Sequence, residues 1–327
     1  MKVFAAILKR ILQLAVLSLL VASATFLLSS LNPGDFFSAR ELDPTVRRQT
    51  IDQMRQQYGL DQPLLVQYGR WLSRCVRLDL GNSLFYQQPV QGVVLDALTK
   101  TLWMGVPALM LGMIGGVLLG TMHALNRYTF IGLALDLLST VALALPTLVL
   151  GLGALLIAAS THWFPLGSMS STSLQDPHFL VGIADRIHHL VLPVACLTLP
   201  ILVYVERIQC AATQDLLNEP YVRAARARGL PQQHIFLHYL LRPSLNPILS
   251  TSGPLLGSIL SGSLVLEVIF TWPGLGQATL NALFNKDVPL VAGCVIGSTI
   301  LLVAGNLAAD ILLLILDPRT RVAGGAL

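Results

Sequence analysis

The chain has 327 residues, of which 54% are hydrophobic and 12% charged, and a mean hydropathy of +0.68. These values exclude a soluble globular domain and predict an integral membrane protein. The net charge of +4 comes without interleaved aromatic and basic residues, so it argues for membrane topology and against nucleic-acid binding. The cysteines Cys75, Cys196, Cys210 and Cys294 are scattered, with neither a disulfide framework nor metal-ligand spacing.

Lys2, Lys9 and Arg10 precede an apolar run from Ile11 to Leu31, long enough to cross a bilayer at about 20 residues per span. The basic flank predicts a cytoplasmic amino terminus. Ala22-Ser23-Ala24 fits a signal-peptide cleavage pattern, but Phe26, Leu27 and Leu28 carry the apolar run past it, which favours a retained helix. Residues 32–99 are polar with nearly balanced charge and are expected to fold outside the membrane. After Pro63, the spacing of Leu64, Leu65, Tyr68, Trp71, Leu72 and Cys75 predicts an amphipathic helix near the interface. A cap over the span ends and a surface that meets a ligand both suit this segment.

Thr101 to Met122 reads as a second span, with Pro107 and with Gly112, Gly115, Gly116 and Gly120 allowing close helix approach. Ile131 to Ala159 reads as a third, with Pro146 in its middle and Asp136 at its hydrated start. The stretch from Ser160 to Ile187 is expected outside. It holds His162 and His178, and His188 and His189 follow. Imidazole suits nickel, but the spacing matches no ligand motif. His188 to Gln209 reads as a fourth span bent at Pro193 and Pro200.

The polar stretch from Asn218 to Pro247 lies between two apolar runs. Pro220 suits a first helical turn, Tyr221, Val222, Ala224 and Ala225 fall on one side, and Arg223 and Arg226 fall on another. Gly229 stops this helix. Pro231 opens a second, which Ile235, Phe236, Tyr239 and Leu240 continue until Pro243 and Pro247 break the pattern. The result is a helix, a glycine turn and a second helix, a shape suited to docking. Arg207, Arg223, Arg226, Arg228 and Arg242 place it on the cytoplasmic side.

Ser250 to Phe270 reads as a fifth span rich in small residues, including Gly253, Gly257, Ser258, Ser261 and Gly262. Helix packing and a low-bulk pathway wall remain equal readings of it. Glu267, near its outer end, has substrate, a neighbouring side chain or water as possible partners. Pro289 to Leu316 reads as a sixth span, in which Asn306 and Asp310 share a face. An interhelix hydrogen bond is the favoured reading for that pair, with a place in the pathway as the alternative. The sequence contains no GxxxxGK[ST], HExxH or GxSxG motif.

YVRAARARGL, followed by a prolyl turn and an apolar helix, resembles the EAA loop of ABC-transporter membrane subunits. It is most similar to the peptide and nickel branch, the B-type permeases of dipeptide and oligopeptide importers. That family's general pattern has Glu where this chain has Arg223, and the peptide branch commonly carries Arg there. Further resemblance lies in PGD at Pro33 to Asp35, DLGNS at Asp79 to Ser83, WPGLG at Trp272 to Gly276, KDVPLV at Lys286 to Val291, and DPRTR at Asp317 to Arg321.

The resemblance implies an all-α membrane protein with six transmembrane helices in the type I importer permease fold. Its parts would be an amino-terminal helix at 1–31, an extracytoplasmic segment at 32–99, a five-helix transmembrane domain at 100–316 with a cytoplasmic coupling loop at 210–247, and a cytoplasmic tail at 317–327. Coupling to the ATPase is then expected from Glu219, Tyr221, Val222, Arg223, Ala224, Ala225, Arg226, Ala227, Gly229, Leu230 and Pro231. Gly253, Gly257, Ser258, Ser261, Gly262, Glu267, Asn306 and Asp310 become candidates for the pathway or the subunit interface. The expected partners are a second, homologous permease, two cytoplasmic ATP-binding subunits, an extracytoplasmic solute-binding protein and the lipid bilayer. This chain itself would hold no cofactor or metal, with ATP and Mg2+ on the partners, and would perform no catalysis. An ion-coupled secondary transporter is the alternative; it requires coupling-ion sites and an internal repeat. Asp310 is the one clear deep candidate for such a site, and the two halves show no repeat.

Overall fold

The computed structural model describes residues 16–27, 36–37, 52–53, 55–56, 59, 61–77, 79–171 and 179–316, with the side chains of 76, 179, 252–254, 256, 258, 260–261 and 310–316 excepted. Among the described residues the chain is helical, and its one β-bridge, Asn82 to Pro89, is isolated. The helices are α1 (Val16–Leu27), α2 (Leu64–Val76), α3 (Val90–Leu125), α4 (Phe130–Ala144), α5 (Thr147–Thr161), α6 (Phe179–Leu217) and α7 (Pro220–Ala227). A single turn, Gln232–His234, and a π-helix, Ile235–Leu241, then lead into α8 (Arg242–Ile269), α9 (Leu275–Phe284) and α10 (Val288–Leu316). Among the described residues, three stretches are long and apolar enough to cross a membrane: Val90–Leu125, Leu180–Leu217 and Val288–Ala309. The α4–α5 pair makes a fourth if its two halves count together.

The chain divides into two compact units, Met1–Lys100 with Gly274–Leu301, and Thr101–Pro273 with Leu302–Leu327. In the first unit, the predicted amphipathic helix α2 turns Tyr68, Trp71, Leu72 and Cys75 onto Ala22 and Phe26 of α1 and Ala292 of α10. Phe26 stacks on Trp71 with ring centroids 5.4 Å apart, and the Tyr68 hydroxyl donates to Ser23 Oγ at 2.9 Å. Leu64 and Leu65, expected on that same face, instead lie exposed. The aromatic half of the face is thus satisfied by protein.

A second cluster joins Val90, Val94 and Ala97 of α3 to Leu275, Ala278 and Ala282 of α9 and to Leu290, Val291 and Cys294 of α10. Gly293 permits the contact, since a Cβ there would lie 2.3 Å from Val90 Cγ1. Helix α9 was not foreseen in the sequence. Its short apolar run sits between turn-forming residues and shows no long period.

In the second unit, Gly112, Gly116 and Gly120 recur at four-residue intervals on α3 and face α6. A Cβ at these positions would meet Ile201 Cγ2 at 2.6 Å, Val205 Cβ at 2.6 Å and the Glu206 carbonyl oxygen at 2.4 Å. The expected close approach is therefore made by glycine, which brings the two backbones into direct contact. Around this seam, Met104, Ala108, Leu197, Ile201, Val205, Ile248, Leu255, Ile259, Leu266 and Phe270 form the core.

Three span boundaries differ from the sequence expectation. The predicted third span is two helices bent by 101° at Pro146. Leu145 is extended (φ −84°, ψ 116°) because the residue before proline is pushed out of the helical region, and the proline has no N–H to continue the ladder. Helix α6 runs unbroken from Phe179 to Leu217 with Pro193 and Pro200 inside it, and so takes up part of the stretch expected as an outer loop. Pro243 and Pro247 do not end the helix that precedes them: the π-helix runs directly into α8, with Pro243 in its first turn and Pro247 within it. Pro243 lacks the N–H that would reach the Tyr239 carbonyl four residues earlier, and the Tyr221 hydroxyl approaches that carbonyl at 3.5 Å.

Candidate functional site

The helix-turn-helix expected from Asn218 onward is present, and its local chemistry explains its shape. Glu219 is extended (φ −67°, ψ 140°) ahead of Pro220, which occupies the first helical position, where its missing N–H costs nothing. At the other end Gly229 adopts φ +70°. Its N–H donates to the Arg226 carbonyl at 3.0 Å, and the Leu230 N–H donates to the Ala225 carbonyl at 3.4 Å. These two bonds form a Schellman motif, which closes a helix through a left-handed glycine.

The turn delivers Leu230 back onto the inner face of α7. There Val222 and Ala225 are buried with Ile235 and Leu240, and Leu216, Leu217, Leu230, Phe236 and Tyr239 pack around them. The structure therefore divides the predicted coupling residues. Val222 and Ala225 anchor the helix, and Leu230 is half-buried beside them. Glu219, Tyr221, Arg223, Ala224, Arg226, Ala227, Gly229 and Pro231 are exposed. Tyr221 is 40% exposed and stacks toward Tyr239 at 6.3 Å. Partial burial, followed by the nearby Glu219 carboxylate, raises its phenol pKa. The outer face is thus basic, with two alanines that let another surface come close.

Inside α6, just before this helix-turn-helix, lies a polar stripe that was not foreseen in the sequence. Glu206, Gln209, Cys210 and Thr213 follow the i, i+3, i+4, i+7 spacing of one helix face, and all four are buried. Glu206 Oε1 lies 2.6 Å from His123 Nδ1 of α3, and its Oε2 accepts the Ser139 hydroxyl of α4 at 2.8 Å. Gln209 Nε2 lies within hydrogen-bond distance of Thr121 (3.0 Å), Thr213 (3.3 Å) and Ser244 (2.8 Å), joining α3, α6 and α8. His123, Glu206 and Cys210 each offer a ligand atom, and these atoms lie within 4.8 Å of one another. The signal that would have found the stripe is its helical period inside an otherwise apolar run.

The pathway candidates separate. A Cβ on Gly257 would lie 3.1 Å from Leu302 Cδ1, and one on Gly262 would lie 3.2 Å from Leu197 Cδ1, so both glycines face neighbouring helices. Glu267 is fully buried and accepts the Thr101 hydroxyl at 2.7 Å, which makes its partner a neighbouring side chain. Among the described residues, Asn306 Oδ1 is buried without a hydrogen-bond partner, and the side chain of Asp310, which was expected to share its face, lies outside them. The side chains of Ser258, Ser261 and Asp310 lie outside the described residues, as does that of Gly253 for its surroundings.

Among the described residues, the histidines expected outside take separate local roles. His188 Nε2 donates to the Trp163 carbonyl at 2.8 Å, His189 Nδ1 donates to the Asp185 carbonyl at 2.9 Å, and His162 closes α5 with φ 56°. His178 lies outside the described residues.

Long apolar helices packed through glycine seams, with a folded basic helix-turn-helix between two of them, define a multi-pass helical membrane protein. The chain belongs to the family of binding-protein-dependent transport system inner membrane components. That family matches residues 116–322, and its amino-terminal region matches residues 3–105. The chain is 32% identical over 315 residues to the oligopeptide transport system permease protein AppB of Bacillus subtilis, covering 96% of this chain and 98% of that one. It is 29% identical over 316 residues to a protein of Sinorhizobium fredii named as a probable peptide ABC transporter permease, covering 96% and 98%.

Proposed function

We propose that this protein is the permease subunit of an ATP-driven importer of peptides, that it forms half of the translocation pathway, and that α7 seats in a cytoplasmic ATPase subunit. The observation that carries this reading is the division of α7 into a buried anchor, Val222 and Ala225, and an exposed basic face. A helix fixed by one face to its own bundle and open on the other can pass a push from a partner into the spans. Family membership supports an inner-membrane location and a solute-binding partner, and the names of the relatives support peptide as substrate.

In this reading six spans cross the membrane, with both termini cytoplasmic and 32–99 outside. The transmembrane domain covers 100–316, with its coupling loop at 210–247. A second, related permease completes the pathway, and two ATPase subunits bind ATP and Mg2+. Closure of those subunits on ATP moves α7, and the bundle follows because the two ATPase states contact α7 differently. Ala224→Cys, on the exposed face, is the direct test. It should cross-link to a co-purified ATPase subunit, whereas Ala225→Cys should not. Equal labelling of both, or of neither, would sink the docking assignment.

A further inference from the structure

We propose that His123, Glu206 and Cys210 form a binding site for a divalent transition-metal ion of the zinc type, placed to clamp α3 to α6. Glu206 and Cys210 are one helical turn apart on a single face of α6, and His123 reaches them from α3. Reach is secured by the glycine seam, since Gly120, less than a turn before His123, packs directly on the Glu206 backbone. The three ligand atoms already lie within 4.8 Å of one another. Bond lengths of about 2.0–2.3 Å from zinc to N, O and S set ligand atoms of one ion roughly 3.2–3.8 Å apart, so small side-chain shifts close the site. A mixed imidazole, carboxylate and thiolate set favours zinc-like ions over magnesium or calcium.

The surrounding groups act as supports for such a site. Gln214 Nε2 donates to Cys210 Sγ at 3.1 Å, and Arg127 Nη1 in turn donates to Gln214 Oε1. That relay fixes the position of the sulfur. Ser139 holds the second oxygen of Glu206. Outer partners of this kind orient ligands and tune metal affinity. His123 is 11% exposed against 1% for Glu206, which makes the imidazole edge the way in. An ion bridging α3 and α6 would restrain α6, whose last residues Leu216 and Leu217 pack against the anchor of α7. Occupancy would therefore inhibit transport, and this consequence rests on the coupling role proposed above.

The test uses the full-length chain purified with its native partner subunits, in nanodiscs for metal binding and in sealed proteoliposomes for uptake. Co2+ is expected to raise a sulfur-to-cobalt charge-transfer absorption that Zn2+ displaces, and the C210A complex should lack it. Q214L should weaken Co2+ binding about 10–100-fold, as removal of an outer partner does. Absence of the absorption in the wild-type complex, or its survival in C210A, overturns the site. H123Q leaves α6 untouched, and undiminished Co2+ affinity in that variant overturns it equally. Zn2+ that binds but leaves ATP-driven uptake unchanged overturns the clamp, while the docking reading still stands or falls by the cross-linking at Ala224.

Discussion

The Asp287 carboxylate accepts the Ser83 hydroxyl at 2.6 Å, across 204 residues of sequence, and both side chains are buried. The same carboxylate accepts the Phe85 N–H at 3.0 Å and the Leu290 N–H at 3.2 Å, so it also satisfies a backbone donor in the first turn of α10. One residue thus closes the Ser83 to Gln88 turn onto the start of a span. This gives a physical role to DLGNS and KDVPLV as two halves of one hydrogen-bonded joint.

Asp287→Ala is expected to strip these donors of their acceptor at a buried joint, at a cost of roughly 1–3 kcal/mol per unsatisfied group. Ser83→Ala should cost less, because Phe85 and Leu290 keep the carboxylate partnered. Thermal unfolding of the detergent-purified protein measures both, and an unchanged midpoint in Asp287→Ala would show that the joint carries no stability.

The seam between α3 and α6 should tolerate no side chain. Gly116→Val would place its Cβ 2.6 Å from Val205 Cβ and 2.7 Å from the Leu202 carbonyl oxygen, and overpacking of this kind costs typically about 1–3 kcal/mol or more. Gly153→Ala is the control, since nothing lies within 4 Å of a Cβ there. The yield of monodisperse protein should fall sharply in the first variant and stay level in the second.

At Gly229 the expected effect is conformational. No atom lies within 4 Å of an added Cβ, but φ is +70°, a region that costs a non-glycine residue on the order of 1–3 kcal/mol. Gly229→Val should distort the Schellman turn and lower peptide uptake per ATP hydrolysed while insertion proceeds normally. Gly229→Asn, which tolerates left-handed backbone better, should retain more coupling. Wild-type uptake in Gly229→Val would count against the role given to α7.

Cys75 supplies a pH prediction. Burial, and then the nearby Asp79 carboxylate, push its thiol from 9.0 up to about 11. A raised acid pKa keeps the neutral form in the folded state, so the stability from this group is present below about pH 9 and is lost as pH rises toward 11. Alkylation of Cys75 in the folded protein at pH 7.5 should accordingly be much slower than in the unfolded chain. Equal rates by peptide mass spectrometry would refute the burial argument.

The chain by itself determined whatever depends on near neighbours. Membrane residence follows from composition, and the two ends of α7 follow from Pro220 and Gly229, whose backbone restrictions act within a turn. The glycines of α3 likewise announced a close approach. Tertiary structure decided the rest. Pro243 and Pro247 read locally as a stop, yet the π-helix continues into α8 across both. Which of the α7 residues point inward depended on where Leu216 and Tyr239 came to lie. The pairing of His123 with Glu206, 83 residues apart, and of Ser83 with Asp287 had no local signature, because a hydroxyl, imidazole or carboxylate accepts many partners and only folding selects among them.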